Sequence, residues 1–178
     1  MIEKREKQPQ QTEEYLDVVN ANDEVIDRKP RSAIYKEHAS NFRVVNAFGI
    51  NSKGQLWIPQ RTPHKKIFPN ALDFSMGGHV ESGESYPAAF KRETGEELGI
   101  DVDAKGYRVL GKLTPEQDGV VSFMQVYEFP LGKTPVYNPN DFSGSHWFYP
   151  DELRAEIQKG TPAKSDLIIV LNRFYPAS

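Results

Sequence analysis

The chain of 178 residues contains no cysteine. That excludes disulfides, thiolate-ligated zinc and cysteine nucleophiles together. Any catalytic metal is left to oxygen ligands, or to imidazole from 4 histidines at most. No stretch approaches the roughly 18–20 apolar residues that a membrane span needs. The opening Met1-Ile2-Glu3-Lys4-Arg5-Glu6-Lys7 lacks the apolar region of a secretory signal, so a cytoplasmic protein is expected. There is no basic excess either: 22 Lys and Arg face 25 Asp and Glu, a formal charge of −3. Coating of a nucleic-acid polymer is therefore not suggested. No internal repeat is visible. What is present is an ordinary globular balance, 38% apolar and 26% charged, in a length sufficient to bury a core.

Residues 1–13 are polar and read as a mobile tail, leaving 14–178 as one domain. Two short strands are predicted around 15–19 and 24–27, then a short helix over 30–36. A β-rich run covers 42–50. Asn51-Ser52-Lys53-Gly54 is a hairpin-turn signal, and a return strand follows over 55–61. Pro59 in that strand implies an edge or a bulge. A polar loop spans 62–70, and 72–76 alternates as a strand running into Gly77-Gly78. The clearest helix is 85–98, with Pro87 in its first turn and Gly99 as its stop. Strands are expected at 107–113, 120–129 and 146–149, and helices at 150–159 and 164–175. Meandering strands with interspersed helices indicate an α/β sandwich on a mixed sheet rather than a doubly wound one.

Chemistry concentrates in Gly78-His79-Val80-Glu81-Ser82-Gly83-Glu84 and, after seven residues, Arg92-Glu93-Thr94-Gly95-Glu96-Glu97-Leu98-Gly99-Ile100. A helix advances about 100° per residue, which places Glu93, Glu96 and Glu97 within an arc of roughly 100°. Phe90, Thr94 and Leu98 then occupy the adjoining side, suited to packing on a sheet. Glu93 and Glu97 stand at i,i+4, where two charges repel by roughly 3 kcal/mol at an effective dielectric of about 20. Arg92 can pair with Glu96, whereas the i−4 and i+4 neighbours of Glu97 are Glu93 and Asp101. A hard cation with oxygen ligands, Mg²⁺ or Mn²⁺, resolves that crowding. A bare Glu-x-x-Glu-Glu is most often only a solvated helix face; the whole pattern carries more.

The pattern Gly-x5-Glu-x7-Arg-Glu-x-x-Glu-Glu-x-Gly-apolar over 78–100 resembles the Nudix box. Thr94 stands where an aliphatic residue is usual. The resemblance implies a Nudix-fold α/β/α sandwich with a mixed β-sheet. It also implies a metal-dependent pyrophosphohydrolase, with water attacking phosphorus in a nucleoside di- or triphosphate or a nucleoside diphosphate linked to a group X. Glu93 and Glu97 become the principal ligands of Mg²⁺ or Mn²⁺, Glu96 a third ligand or base, and the Gly77 carbonyl a further ligand. Arg92 orients the glutamates, and Glu84 braces the loop against the helix. Family members differ in which glutamate is the base, and Glu116 and Glu128 are candidates outside the box.

The similarity extends over about 14–155, to the Nudix branch that includes isopentenyl-diphosphate isomerase. It is carried by Glu14–Asn20, the Arg61-x3-Lys65 step, Phe68-Pro69 and Asn138-Pro139-Asn140-Asp141 before Trp147. It implies that Arg61 and Lys65 bind the substrate diphosphate; read alone, both are equally loop charges. Trp57 and Phe68 are candidates to stack on a base, although aromatics near strand ends are more often core. Isomerase activity uses an essential cysteine, which this chain lacks, so a hydrolase is the expectation. A nucleotide-sensing module without turnover is the non-enzymatic alternative, and the intact glutamates count against it.

Other signals carry less. Gly106–Leu113 nearly spells a phosphate loop, but Leu113 replaces its hydroxyl residue and the stretch reads as a strand. His38, His64, His79 and His146 show no ligand spacing, though His64 and His79 flank the expected site. The expected partner is a small nucleotide or diphosphate, with no nucleic-acid polymer and no membrane. Base, sugar, group X and oligomeric state are not encoded in any of these motifs.

Overall fold

The computed structural model describes residues 13–177. The tail expected over 1–13 therefore lies outside the described residues apart from Glu13, whose carboxylate accepts a hydrogen bond from Ser32. The elements are β1 Tyr15–Val19, β2 Val25–Pro30, α1 Arg31–Lys36, β3 Arg43–Ile50, β4 Leu56–Arg61, β5 Met76–His79 and α2 Tyr86–Leu98. They continue with α3 Val102–Lys105, β6 Arg108–Leu113, α4 Pro115–Asp118, β7 Phe123–Pro130, β8 Phe142–Phe148, α5 Pro150–Gln158 and α6 Ser165–Phe174. The short α3 and α4 are single turns without an amphipathic period. Each is set by a side-chain cap, Asp101 on the amides of Asp103 and Ala104, Thr114 on that of Gln117.

β1 and β2 pair with each other, and six strands form the main sheet in the order β6-β7-β3-β4-β8, with β5 on β3. β3 and β7 run parallel and the other pairs antiparallel, so the sheet is mixed. The period of two along each strand divides the core. In β4, Leu56 and Ile58 face one apolar cluster and Trp57 the other. The Trp57 side packs with Tyr86, Ala89, Phe90 and Leu98 of α2, where Phe90 stacks on Tyr127 at 4.1 Å. The opposite side packs with Leu153 of α5 and Leu167, Val170 and Leu171 of α6. Each such buried side chain contributes roughly 1.5–3 kcal/mol. Helices thus cover both faces of the sheet.

The β3–β4 hairpin is built as the turn signal predicts. Asn51 Oδ1 accepts the amides of Lys53 and Gln55 at 2.9 and 3.0 Å, and Gly54 takes φ +81°. Beyond the Ile50–Leu56 pair β4 leaves β3, while its pairing with β8 runs along the whole strand from Leu56 to Arg61. Pro59 accordingly lies where β4 has parted from β3, and the bulge falls just after it, at Gln60/Arg61. β5 takes the vacated side of β3, pairing Val44 to Ala47 with His79 to Met76.

The strand expected over 72–76 is displaced to Met76–His79. Residues 71–75 are all buried, polar Asp73 and Ser75 included, and their backbone serves other segments. Leu72 N–H donates to Pro162 and Asp73 N–H to Pro59, while Ser75 Oγ links the Gly49 amide and the Trp57 carbonyl. That segment lies across the wedge between β3 and β4, the place where the candidate site forms. Among the described residues, no helix is long and apolar enough to cross a membrane.

Candidate active site

Helix α2 begins at Ser85, whose Oγ accepts the Ala88 amide at 3.3 Å, and ends at Gly99 with φ +63°. Phe90, Thr94 and Leu98 are buried, as the periodicity predicts. Thr94 donates its hydroxyl to the Phe90 carbonyl at 2.6 Å, so the polar atom is satisfied within its own helix and only the methyl needs to pack. The polar flank of α2 is pressed against β5, and Gly78 makes this possible. A Cβ on Gly78 would lie 2.0 Å from Glu93 Cδ, and one on Gly77 would lie 2.5 Å from Asn46 Oδ1.

Arg92 is the hub of the helix face. Its Nε and Nη2 grip the two Glu84 oxygens at 3.0 and 2.9 Å. Nη2 also donates to the His79 carbonyl at 3.0 Å, and Nη1 reaches Glu93 at 2.9 Å and Glu96 at 3.4 Å. The Glu84 hydrogen bonds, set against partial burial, raise the guanidinium pKa, so it is permanently charged. Glu84 Oε2 further accepts the Glu81 amide at 3.1 Å, which ties the Gly83 turn to the helix. Glu93 is pushed up by burial and held down in part by Arg92, while Glu96 is largely exposed.

Glu97 looks elsewhere. It enters a cavity of about 100 Å³, together with Gly77 from β5, Arg61 and Lys65 from the end of β4 and its loop, Asp73, and Lys164 before α6. Burial, then Glu93 and Asp73, push its carboxyl up to about 8. The i,i+4 crowding with Glu93 is thus present, second to burial. Arg61 Nη1 meets Asp73 Oδ2 at 2.8 Å, and its Nε is shared by the Ile67 and Phe68 carbonyls at 3.2 Å each. Lys65 pairs with Asp141, which lines the same cavity beside Phe142.

Several residues singled out from the sequence stand apart from this cavity. The Phe68 side chain is exposed and does not line it; what Phe68 contributes is a carbonyl, turned onto Arg61 by a backbone φ of +52°. Trp57 is fully buried in the core against Tyr137 and Phe142, so it presents no free face. Glu128 is held between Arg108 at 2.7 Å and the Tyr175 hydroxyl, and Glu116 sits in α4; neither lines the cavity. His64 is exposed. His79 turns away, its ring stacked on Phe42 and its Nε2 at 2.9 Å from the Tyr35 hydroxyl.

Burial, then Arg31, Lys164 and Arg92, depress the His79 pKa to about 3. The unfolded chain therefore binds a proton that the native one refuses between about pH 6.5 and 3. Stability should fall as pH is lowered through that window, by an amount on the order of a few kcal/mol. Thermal melts of His79→Phe, which keeps the stacking without the titration, should show a flatter acid limb; parallel limbs would remove His79 as the cause.

Asp73, Asp141 and Lys164 complete the cavity, and sequence reasoning missed all three as site residues. Asp141 lay in a motif that was quoted for its resemblance alone. Asp73 was hidden in an alternating run, and Lys164 carried no local signal.

The NUDIX domain model matches residues 40–169, more than half of the chain. The chain belongs to the Nudix family. A Nudix hydrolase of Nostoc sp. strain PCC 7120 is 53% identical over 162 residues, 91% of this chain and 96% of that protein. One from Deinococcus radiodurans is 49% identical over 166 residues, 92% of this chain and 95% of that protein. A D. radiodurans crystal structure superposes with a TM-score of 0.86 at 48% identity, covering 91% of this chain and 99% of that one. A MutT Nudix hydrolase structure from Burkholderia pseudomallei, at 21% identity and a TM-score of 0.56, shares the fold. The mixed sheet between helices is therefore the Nudix fold, and the protein is a Nudix hydrolase.

Nudix hydrolases use divalent cations, commonly Mg²⁺. The donor chemistry here fits such an ion: Glu93, Glu96 and Glu97 are hard oxygen donors, and Glu97 is a partly buried carboxyl whose charge is poorly compensated. Among the described residues, no three Asp, Glu or His side chains are grouped so as to hold a metal ion by themselves. Mg²⁺ keeps several waters and is usually held by one or two carboxylates plus substrate phosphates.

Proposed function

We propose that this Nudix hydrolase is a Mg²⁺- or Mn²⁺-dependent pyrophosphohydrolase of the cytoplasm. Its substrate is a nucleoside di- or triphosphate, or a nucleoside diphosphate linked to a group X, and water attacks phosphorus. The observation that carries the reading is the shared cavity. Glu97 and Gly77, from the Nudix box and the strand before it, face Arg61, Lys65 and Lys164 across a space of about 100 Å³. A box carboxylate and three basic side chains lining one space suit a phosphoanhydride held between a metal and cations.

In this mechanism Glu93 and Glu97 hold the ion, with Glu96 and the Gly77 carbonyl as further ligands. When bound, the ion supplies Lewis-acid polarisation of phosphoryl oxygens and a lowered pKa for attacking water. Arg92 keeps Glu93 and Glu96 oriented, and Glu84 fixes Arg92 by two parallel hydrogen bonds. Arg61 and Lys65 grip the diphosphate and neutralise charge that develops on the leaving phosphate. Asp141 is the counter-ion that Lys65 gives up: its side chain is 40% exposed, so it can return to water when phosphate arrives. The base that takes the proton from water is Glu96 or Glu97.

The test is a panel of nucleoside di- and triphosphates and nucleoside diphosphate conjugates, assayed with Mg²⁺ and with Mn²⁺. Release of phosphate, pyrophosphate or nucleoside monophosphate is expected, and chelation with EDTA should abolish it. Tight nucleotide binding without any phosphate release would instead identify a sensor.

A further inference from the structure

We propose that Lys164, outside the Nudix box, binds substrate phosphate directly, and that Asp73 is the positioning residue that presents both Lys164 and Arg61 to it. The inference rests on the hydrolase reading for its substrate class and deepens it.

Lys164 is far from the box in sequence and is brought in by backbone pairing. Leu72 N–H donates to the Pro162 carbonyl at 2.8 Å, and Lys164 N–H donates to the Leu72 carbonyl at 3.0 Å. This two-sided clamp places the Lys164 side chain beside Asp73, the next residue. Lys164 Nζ lies 3.2 Å from Asp73 Oδ1, and Arg61 Nη1 lies 2.8 Å from Asp73 Oδ2. One carboxylate thus holds two cations, one on each oxygen.

Asp73 cannot act as a displaceable counter-ion in the manner of Asp141. Its side chain is 7% exposed, and Oδ1 also accepts the Phe74 amide at 2.7 Å. Leaving Arg61 and Lys164 would strand a buried charge. The two cations it holds are more open, at 17% and 28% exposure, and both line the cavity. Two positive charges against one fixed negative charge leave the wall with a positive excess. An ammonium has three N–H donors, and one suffices for Asp73. The ammonium also stands next to the Gly77 backbone, 3.8 Å from where a Cβ would project, and 5.6 Å from the Phe74 ring centre. Lys164 therefore borders the same edge of β5 that supplies a proposed metal ligand, where a multi-oxygen anion can reach both.

The test is calorimetric titration of inorganic pyrophosphate, with Mg²⁺ and separately with EDTA, alongside steady-state kinetics on a substrate from the panel. For Lys164→Gln, affinity for pyrophosphate should fall and KM rise by roughly 10- to 100-fold, the worth of a charge-assisted hydrogen bond. Its kcat should stay within a few-fold of wild type and the protein should remain folded, with Lys164→Arg recovering much of the affinity. Asp73→Asn should weaken binding in the same direction, and the two changes together should cost less than their sum. Unchanged affinity and KM in a folded Lys164→Gln protein would overturn the assignment. Tighter binding by Asp73→Asn would show that carboxylate to be a competitor and not a positioner. If wild type turns over nothing on the panel, the hydrolase reading fails, while the pyrophosphate titration still decides the role of Lys164.

Discussion

Glu97→Gln should lower kcat by roughly 10²- to 10⁴-fold, the range lost with an acid–base or charge-stabilising group, and should at the same time stabilise the metal-free protein at alkaline pH. Both effects come from one placement. Glu97 is partly buried in the cavity, with Glu93 and Asp73 adding to desolvation in pushing its carboxyl up to about 8, against an ordinary 4.5. An amide keeps the shape and removes the charge on which a bound cation depends. In the unfolded chain the carboxyl loses its proton near pH 4.5, whereas the folded, metal-free protein keeps it until about pH 8. The native state therefore binds more protons across that window. The stabilisation is complete below about pH 4.5 and is lost as pH rises toward 8. Melting curves in EDTA at pH 5 and pH 8 check this: wild type should lose more stability between them than Glu97→Gln. Added Mg²⁺ should restore wild type and leave the variant unmoved. Turnover that survives the substitution would remove Glu97 from the chemistry.

Gly78→Ala should be nearly as damaging to activity while costing little stability. The new methyl carbon would lie 2.0 Å from Glu93 Cδ and 2.4 Å from its Cγ, so the carboxylate must swing away. Glu93 then gives up its 2.9 Å hydrogen bond to Arg92 and its position over β5. A displacement of this size at a catalytic group costs on the order of 10²-fold in rate. The backbone has little objection, since Gly78 lies in a regular strand pairing with Val45 and its φ is not among the positive ones. Kinetics combined with thermal melting distinguish the two effects. Equal losses in kcat and in melting temperature would mean that the glycine serves packing rather than the placement of Glu93.

The difference between these two residues marks how far the sequence reaches. The helix bearing Glu93, Glu96 and Glu97 was legible because its signals are local: a proline in the first turn, a period of 3.6 in Phe90, Thr94 and Leu98, and a glycine stop. The pairing of Arg92 with Glu96 follows from the same helical geometry. So does the turn at Asn51-Ser52-Lys53-Gly54, where side chain and backbone are neighbours in the chain. The strand lies at Met76–His79 rather than over 72–76 because alternating apolar and polar residues fix neither burial nor pairing here: Asp73 and Ser75 are as buried as their neighbours. Its polar backbone groups are taken by Pro59 and Pro162, contacts that no local pattern announces.

By itself, then, the sequence determined the acidic helix, the glycine pair beside it, the Arg61-x3-Lys65 step and the family those motifs belong to. Only the tertiary structure decided that Glu97 shares a cavity with Asp73, Asp141 and Lys164, that His79 turns away toward Phe42 and Tyr35, and that the Phe68 ring stays outside the cavity. The physical reason is range. Helical periods and caps act over a few residues along the chain. The cavity is made where β4 leaves β3, and the gap is filled by backbone bonds and ion pairs between segments that are distant in sequence.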